Sequence, residues 1–260
     1  MQCPPLKITF LGTGTSSGIP MIACNCEVCT STDPKDDRLR SSILVQSVTT
    51  TIVVDTTPDF RTQMLREKVQ KLDAVLITHH HKDHIAGLDD VKAFCYFQQQ
   101  AMKVYATPAD QDALRKEFSY VFADKKYPGV PDVELVYMDE TPFMVGDIPV
   151  TPIRVWHLKM PVMGFRFGSF TYITDANRIE EEEKKKITGS HTLVLNALRF
   201  NKHISHFNVE EALALADELS ISQCYFTHIS HQLGLHAVVE PTLPEGRAIA
   251  YDGLTLNFPG

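Results

Sequence analysis

The 260-residue chain has no run approaching the ~20 apolar residues that a membrane span requires, so no membrane association is expected. It also lacks a basic excess. Its 25 Lys and Arg stand against 32 Asp and Glu, for a formal net charge of -7. Proteins that grip polyanions by bulk electrostatics show a basic face, so no stable nucleic-acid partner is expected. The glycine-rich start, Gly12-Thr13-Gly14-Thr15-Ser16-Ser17-Gly18, has neither the Lys-Ser/Thr of a phosphate loop nor dinucleotide-binding spacing, and it reads as a tight turn. Met1 to Lys7 has no basic region ahead of an apolar run, so the expected compartment is the cytoplasm. Cysteine is sparse. Of six, Cys3, Cys95 and Cys224 are scattered in or beside apolar segments and read as small buried hydrophobes, whereas Cys24, Cys26 and Cys29 are clustered.

What is present is an ordinary globular composition, 43% hydrophobic and 22% charged, in one expected domain spanning residues 1–260. Short β-branched and apolar runs read as strands at 8–11, 42–45, 51–54, 74–77, 133–137, 150–155, 170–173, 192–195 and 224–227, enough for two sheets. Helices are expected between them. Thr107-Pro108 supplies a cap and a first-turn proline ahead of residues 109–118. Asn208 with Glu211 forms a capping-box pattern for 208–219. A helix is also expected from His84 to Phe97, and residues 180–186, four acids then three bases, read as a solvated helix face.

The most informative segment is Thr78-His79-His80-His81-Lys82-Asp83-His84, which joins an expected strand to an expected helix. A loop of this kind turns alternate side chains toward one point, so His79 and His81 can share one metal while Asp83 and His84 reach a second. Imidazole and carboxylate suit borderline-to-hard divalent ions. Two such ions roughly 3.5–4 Å apart can clamp the attacking and leaving oxygens of a hydrolysis. A separate cluster, Cys24-Asn25-Cys26-Glu27-Val28-Cys29, offers three thiolates that need a fourth ligand to close a tetrahedral zinc site. His231, three residues after His228, is the candidate. His80, His191, His203 and His236 have no such context and read as exposed or structural.

The His-x-His-x-Asp-His pattern resembles the metallo-β-lactamase superfamily. That resemblance implies a four-layer αββα sandwich with metals at one edge, and it assigns further ligands at strand ends. His157 would join His79 and His81. Asp175 would bridge the two metals. His228 would join Asp83 and His84. The order of Gly12 to Pro20, the cysteine cluster, Arg38-Leu39-Arg40-Ser41-Ser42 and Thr227-His228-Ile229-Ser230-His231 further resembles the phosphoribosyl cyclic-phosphate phosphodiesterases of the carbon-phosphorus lyase pathway.

The narrower resemblance implies hydrolysis of a small cyclic phosphodiester by a hydroxide bridging two divalent ions, manganese or zinc, with one structural zinc elsewhere and a homodimeric assembly. It places His206 near the leaving group, and Asp83 and His206 are the expected catalytic residues. The alternatives on the same fold are a transfer-RNA 3′-processing nuclease and a thioester or lactam hydrolase. A non-catalytic metal-binding protein is the alternative of a different class.

Overall fold

The structure, a computed structural model, describes residues 3–260. Strands are numbered in chain order. One sheet runs β15 (Thr255–Phe258), β1 (Leu6–Gly12), β2 (Ser42–Gln46), β3 (Thr51–Val54), β4 (Ala74–Leu76), β5 (Met102–Ala106) and β6 (Val133–Tyr137). The other runs β11 (Arg178–Ile179), β8 (Ile148–His157), β9 (Met160–Phe167), β10 (Phe170–Ile173), β12 (Thr192–Asn196), β13 (Gln223–Thr227) and β14 (Arg247–Ile249), with β7 (Phe143–Val145) paired to β8.

Side-chain alternation on the strands builds the layers. On β3, Ile52 and Val54 enter the core between the sheets, while Val53 faces the helices outside. On β12, Val194 points between the sheets, and Leu193 and Leu195 point outward. Both faces of the central strands are therefore buried, which is why these strands read as unbroken apolar runs. The inter-sheet layer is aromatic, with Phe165, Phe167, Phe170 and Tyr172 all at most 1% exposed.

The outer layer on the first sheet comprises α1 (Phe60–Arg66), α2 (Lys82–Ile85), α3 (Lys92–Gln98) and α4 (Pro108–Glu117). The second sheet carries α5 (Glu181–Ile187) and α6 (Val209–Glu218), with α7 (His236–Val239) following β13. The result is the αββα sandwich that the family resemblance implies. Among the described residues, no helix is long and apolar enough to cross a membrane.

Both anticipated caps form. Thr107 accepts from the Asp110 amide. The Asn208 side chain accepts from Glu211 N (2.8 Å) while the Glu211 carboxylate accepts from Asn208 N (3.0 Å). The helix expected over 84–97 is instead broken into α2, a 3₁₀ turn at Leu88–Val91 and α3. Gly87 explains the break, because a Cβ there would sit 2.1 Å from the Thr57 carbonyl, and only glycine allows the approach. Residues 180–186 are not wholly solvated either. Glu183 is buried and accepts from the Arg154 amide (2.8 Å), tying α5 to β8. Of the scattered cysteines only Cys224 is buried; Cys3 and Cys95 are half-buried.

Candidate metal centre

The ligand candidates all lie at one end of the sandwich, where strands of both sheets end. His79 and the loop to His84 follow β4, His157 ends β8, Asp175 lies two residues beyond β10, and His228 lies one beyond β13. Asp175 and His228 adopt left-handed backbone conformations (φ 53° and 56°), as does Asp55 (φ 67°) one residue beyond β3. Non-glycine residues enter this region at a steric cost, Asp and His more readily than most, and such positions concentrate at functional sites. The glycine-rich segment brackets His228. Ile229 N donates to Thr13 O (2.8 Å) and Thr15 N to Ile229 O (2.9 Å), so the expected tight turn does lie beside the cluster.

Ligand atoms of Asp83, His84, Asp175 and His228 fall within 4.8 Å of one another, and so do those of His157, Asp175 and His206. Asp175 belongs to both groups. The rings of His79 and His81 have centroids 4.6 Å apart, and the His81 and His157 centroids are 5.2 Å apart. All seven residues expected around two metals thus converge. His206, expected only near a leaving group, lies among them, its Nδ1 3.8 Å from Asp175 Oδ1.

Hydrogen bonding fixes which nitrogen three of the histidines present. Asp55 is fully buried and accepts only from within the site: Thr78 N (2.8 Å), Thr78 Oγ1 (2.8 Å) and His84 Nδ1 (2.7 Å). Since the Thr78 hydroxyl proton is directed at Asp55, His79 Nδ1 donates to Thr78 Oγ1 (3.0 Å). His157 Nδ1 donates to the Ser205 carbonyl (2.8 Å). Each of these imidazoles therefore turns a lone pair on Nε2 toward the cluster. The Nε2 atoms of His79 and His84 are buried with no hydrogen-bond partner.

That arrangement fits cations. His84 Nε2 stands 3.2 Å from Asp83 Oδ2 and 3.1 Å from Asp175 Oδ2. A lone pair facing two carboxylates in a buried site is repulsive unless a positive charge lies between them. Among the described residues, no Lys or Arg pairs with Asp55, Asp83 or Asp175. Without an ion, a proton on Nε2 supplies that charge: burial opposes a charged His84, yet Asp175, Asp55 and Asp83 together hold its pKa well above the usual value, so a cation binding here would displace that proton. Burial likewise works against an ionised Asp175, but His228, His84 and His79 hold its carboxyl well below the usual range. His79 is driven well down by burial and by His84, as a neutral ligand requires. Burial and the neighbouring His228 push His206 down to about 3.

The cysteine cluster also assembles. Cys24, Cys26, Cys29 and His231 bring their ligand atoms within 4.8 Å of one another, and all four are half-buried. His231 Nδ1 lies 3.4 Å from Cys24 Sγ and 3.3 Å from Cys26 Sγ. Its hydrogen bond draws the Cys26 thiol down to about 6, whereas burial raises Cys29 to about 11. Three sulfurs and an imidazole at this spacing are the donor set of a structural zinc.

Sequence reading missed Asp55 and Thr78, and it took Asn196 as a possible pocket-lining residue rather than a backbone support. Asn196 is fully buried and grips both polar groups of Ala176, accepting from its N–H (2.7 Å) and donating to its carbonyl (2.9 Å), directly after Asp175. His80, read as contextless, donates from Nδ1 to Asp110 (2.7 Å). His203 is also near the site, with its ring centroid 5.1 Å from that of His206.

An αββα sandwich with carboxylates and imidazoles gathered at the strand ends defines a metallo-hydrolase fold with a candidate two-metal site. A Beta-lactamase superfamily domain matches residues 50–229, and the chain belongs to the metallo-β-lactamase superfamily. It is similar to the crystal structure of a new diphosphatase from the PhnP family, with TM-score 0.91, 38% identity, and 97% of this chain and 98% of that one covered. It is 36% identical over 252 residues to an octanoyltransferase of Porphyromonas gingivalis, covering 96% of this chain but 51% of that protein. The chain thus spans about half the length of that relative. A probable metallo-hydrolase of Bacillus subtilis, YhfI, is 24% identical over 179 residues, covering 64% of this chain and 69% of that protein.

Proposed function

We propose that the chain is a two-metal phosphohydrolase that cleaves a P–O bond in a small phosphodiester, with a cyclic diester or a diphosphate linkage as the substrate class. The observation that carries this reading is Asp175, a single buried carboxylate shared by two groups of potential ligands. The diphosphatase relative, alike over nearly the full length, favours phosphorus over carbon as the reacting centre.

In this reading His79, His81, His157 and Asp175 hold one divalent ion, and Asp83, His84, His228 and Asp175 hold the other. Zinc or manganese suits both donor sets. When bound, the pair supplies a lowered water pKa and charge neutralisation at the phosphoryl oxygens. The chain's own residues supply position and protons. Asp55 and Thr78 hold the His79 and His84 rings in one tautomer, and Ser205 does the same for His157. His206 is neutral at rest. An anionic substrate beside it favours its charged form, and it then delivers a proton to the departing oxygen. Cys24, Cys26, Cys29 and His231 hold a structural zinc that ties the Cys24–Cys29 loop to the segment after His228.

The test is turnover of bis(p-nitrophenyl) phosphate, adenosine 2′,3′-cyclic phosphate, a dinucleoside diphosphate and an octanoyl thioester, each with zinc and with manganese. Hydrolysis of at least one phosphorus substrate well above the thioester is expected. The octanoyltransferase relative, twice this length, favours a second reading in which the site hydrolyses an acyl ester or thioester. Preference for the thioester would replace the first reading with the second.

A further inference from the structure

His157 and His206 come from different parts of the chain, yet one side chain reaches the backbone beside both. Asn177 lies two residues after Asp175 and is half-buried at the rim. Its Oδ1 accepts from the N–H of Leu158, the residue after His157 (2.8 Å). Its Nδ2 donates to the carbonyl of Ile204, two residues before His206 (3.1 Å). Its own backbone N–H donates to the carbonyl of Trp156, the residue before His157 (2.9 Å).

These contacts fall where the backbone most needs support. Leu158 has φ 59°, a left-handed conformation that an exposed leucine adopts only when its surroundings impose it. The bond to Asn177 engages its N–H at the turn that carries β8 into β9. On the other side, the segment after β12 runs without helix or strand from Ala197 to α6, so its placement rests on individual hydrogen bonds. Ser205 accepts from His157 Nδ1, so the two halves already touch.

We infer that Asn177 is a positioning residue that couples the His157 turn to the His206 segment, setting the distance between a metal ligand and the proton donor. This inference rests on the proposed roles of His157 and His206. Its two halves are separable, because aspartate at 177 keeps the acceptor for Leu158 N and loses the donor to Ile204 O, whereas alanine loses both.

The experiment measures zinc affinity by competition with a chelating indicator, and the ratio of kcat/KM on adenosine 2′,3′-cyclic phosphate to that on bis(p-nitrophenyl) phosphate. Circular dichroism checks that each variant is folded. The cyclic substrate expels a poor alkoxide leaving group and needs the proton. The aryl substrate does not. Asn177→Ala should lower zinc affinity and the kcat/KM ratio each by about tenfold, the low end for residues that orient ligands. Asn177→Asp should retain zinc affinity within about threefold and lose the ratio as alanine does. Wild-type values for Asn177→Ala, or Asn177→Asp matching alanine in both measurements, would overturn the inference. His206→Ala is the control. If it leaves the ratio unchanged, proton delivery by His206 fails, and the difference in zinc affinity between the two variants alone decides the role of Asn177.

Discussion

The two clusters of candidate metal ligands are built on different plans. In the strand-end cluster, His79, His84, Asp175 and His228 are each at most 2% exposed, and the remote nitrogens of His79, His84 and His157 are held by Thr78, Asp55 and the Ser205 carbonyl. In the cysteine cluster all four residues are half-buried and three of them lie in one irregular loop, held by His231, by the Met21 amide on Cys29 and by packing of Cys26, Val28 and Cys29 against the core. The first is organised by the fold before any ion arrives. The second has fewer orienting bonds, so an ion there would add more to its order.

The sharpest way to break the comparison is to remove the carboxylate shared by both ligand groups. Asp175→Ala should abolish turnover and lower the metal content of the strand-end site, while the cysteine cluster keeps its zinc, as elemental analysis would report. Retained turnover would sink the two-metal reading. His206→Ala should be less severe, because general acid help typically contributes about 10²- to 10⁴-fold. It should also leave metal content unchanged. Loss of an ion in that variant would show that His206 is a ligand, as its proximity to His157 and Asp175 allows.

That His79 to His84 and Cys24 to Cys29 form clusters of possible ligands was legible from short spacing, whereas His157, Asp175 and His228 were expected only from the family resemblance. The structure brings them beside the first cluster. The residues that orient these ligands were not legible. Asp55 ends Thr51-Ile52-Val53-Val54 much as Asp175 and His228 follow their own strands, so an acid at the end of an apolar strand was the available signal. Nothing in local sequence links it to His84, 29 positions away. Asn177 and Asn196 are still harder to read, since each bonds backbone groups whose positions exist only in the folded chain. The strands β5, β7, β9, β11, β14 and β15 went unread for a related reason. Three are only two or three residues long, and all six depend on tertiary neighbours more than on local pattern. The break at Gly87 likewise involves distant backbone, since its N–H donates to Thr56 O (2.9 Å) and its Cα lies too close to the Thr57 carbonyl for any side chain.

Asp55 offers the next test. Asn at this position preserves shape, but its amide N–H would point at His84 Nδ1 and favour the tautomer that carries the proton on Nε2, the ligand nitrogen. Asp55→Asn should therefore weaken metal binding in the strand-end site by about 10- to 100-fold, the usual cost of losing a ligand's orienting partner. Zinc competition against a chelating indicator would measure this. Wild-type affinity would mean that the Asp55–His84 bond is not what fixes the ring.

The smallest effect on catalysis is expected at the cysteine cluster, and it is the one that separates the two plans. Cys26→Ser removes the thiol that His231 draws down to about 6, leaving an incomplete donor set in a loop otherwise held by Val28 and a few turn hydrogen bonds. One zinc per chain should be lost, and residues 19–31 should become protease-sensitive and exchange their amide protons faster. The strand-end cluster should keep its metals, because its orienting bonds lie within the sandwich. Turnover should fall by no more than about tenfold, through loosening of the Ser230–His231 segment that follows His228. Stripping all metal with a chelator should reproduce the contrast, with amides of β3, β4 and β10 staying protected while those of the cysteine loop exchange. Equal loss of protection in both regions would mean that the strand-end site, too, is organised by its ions.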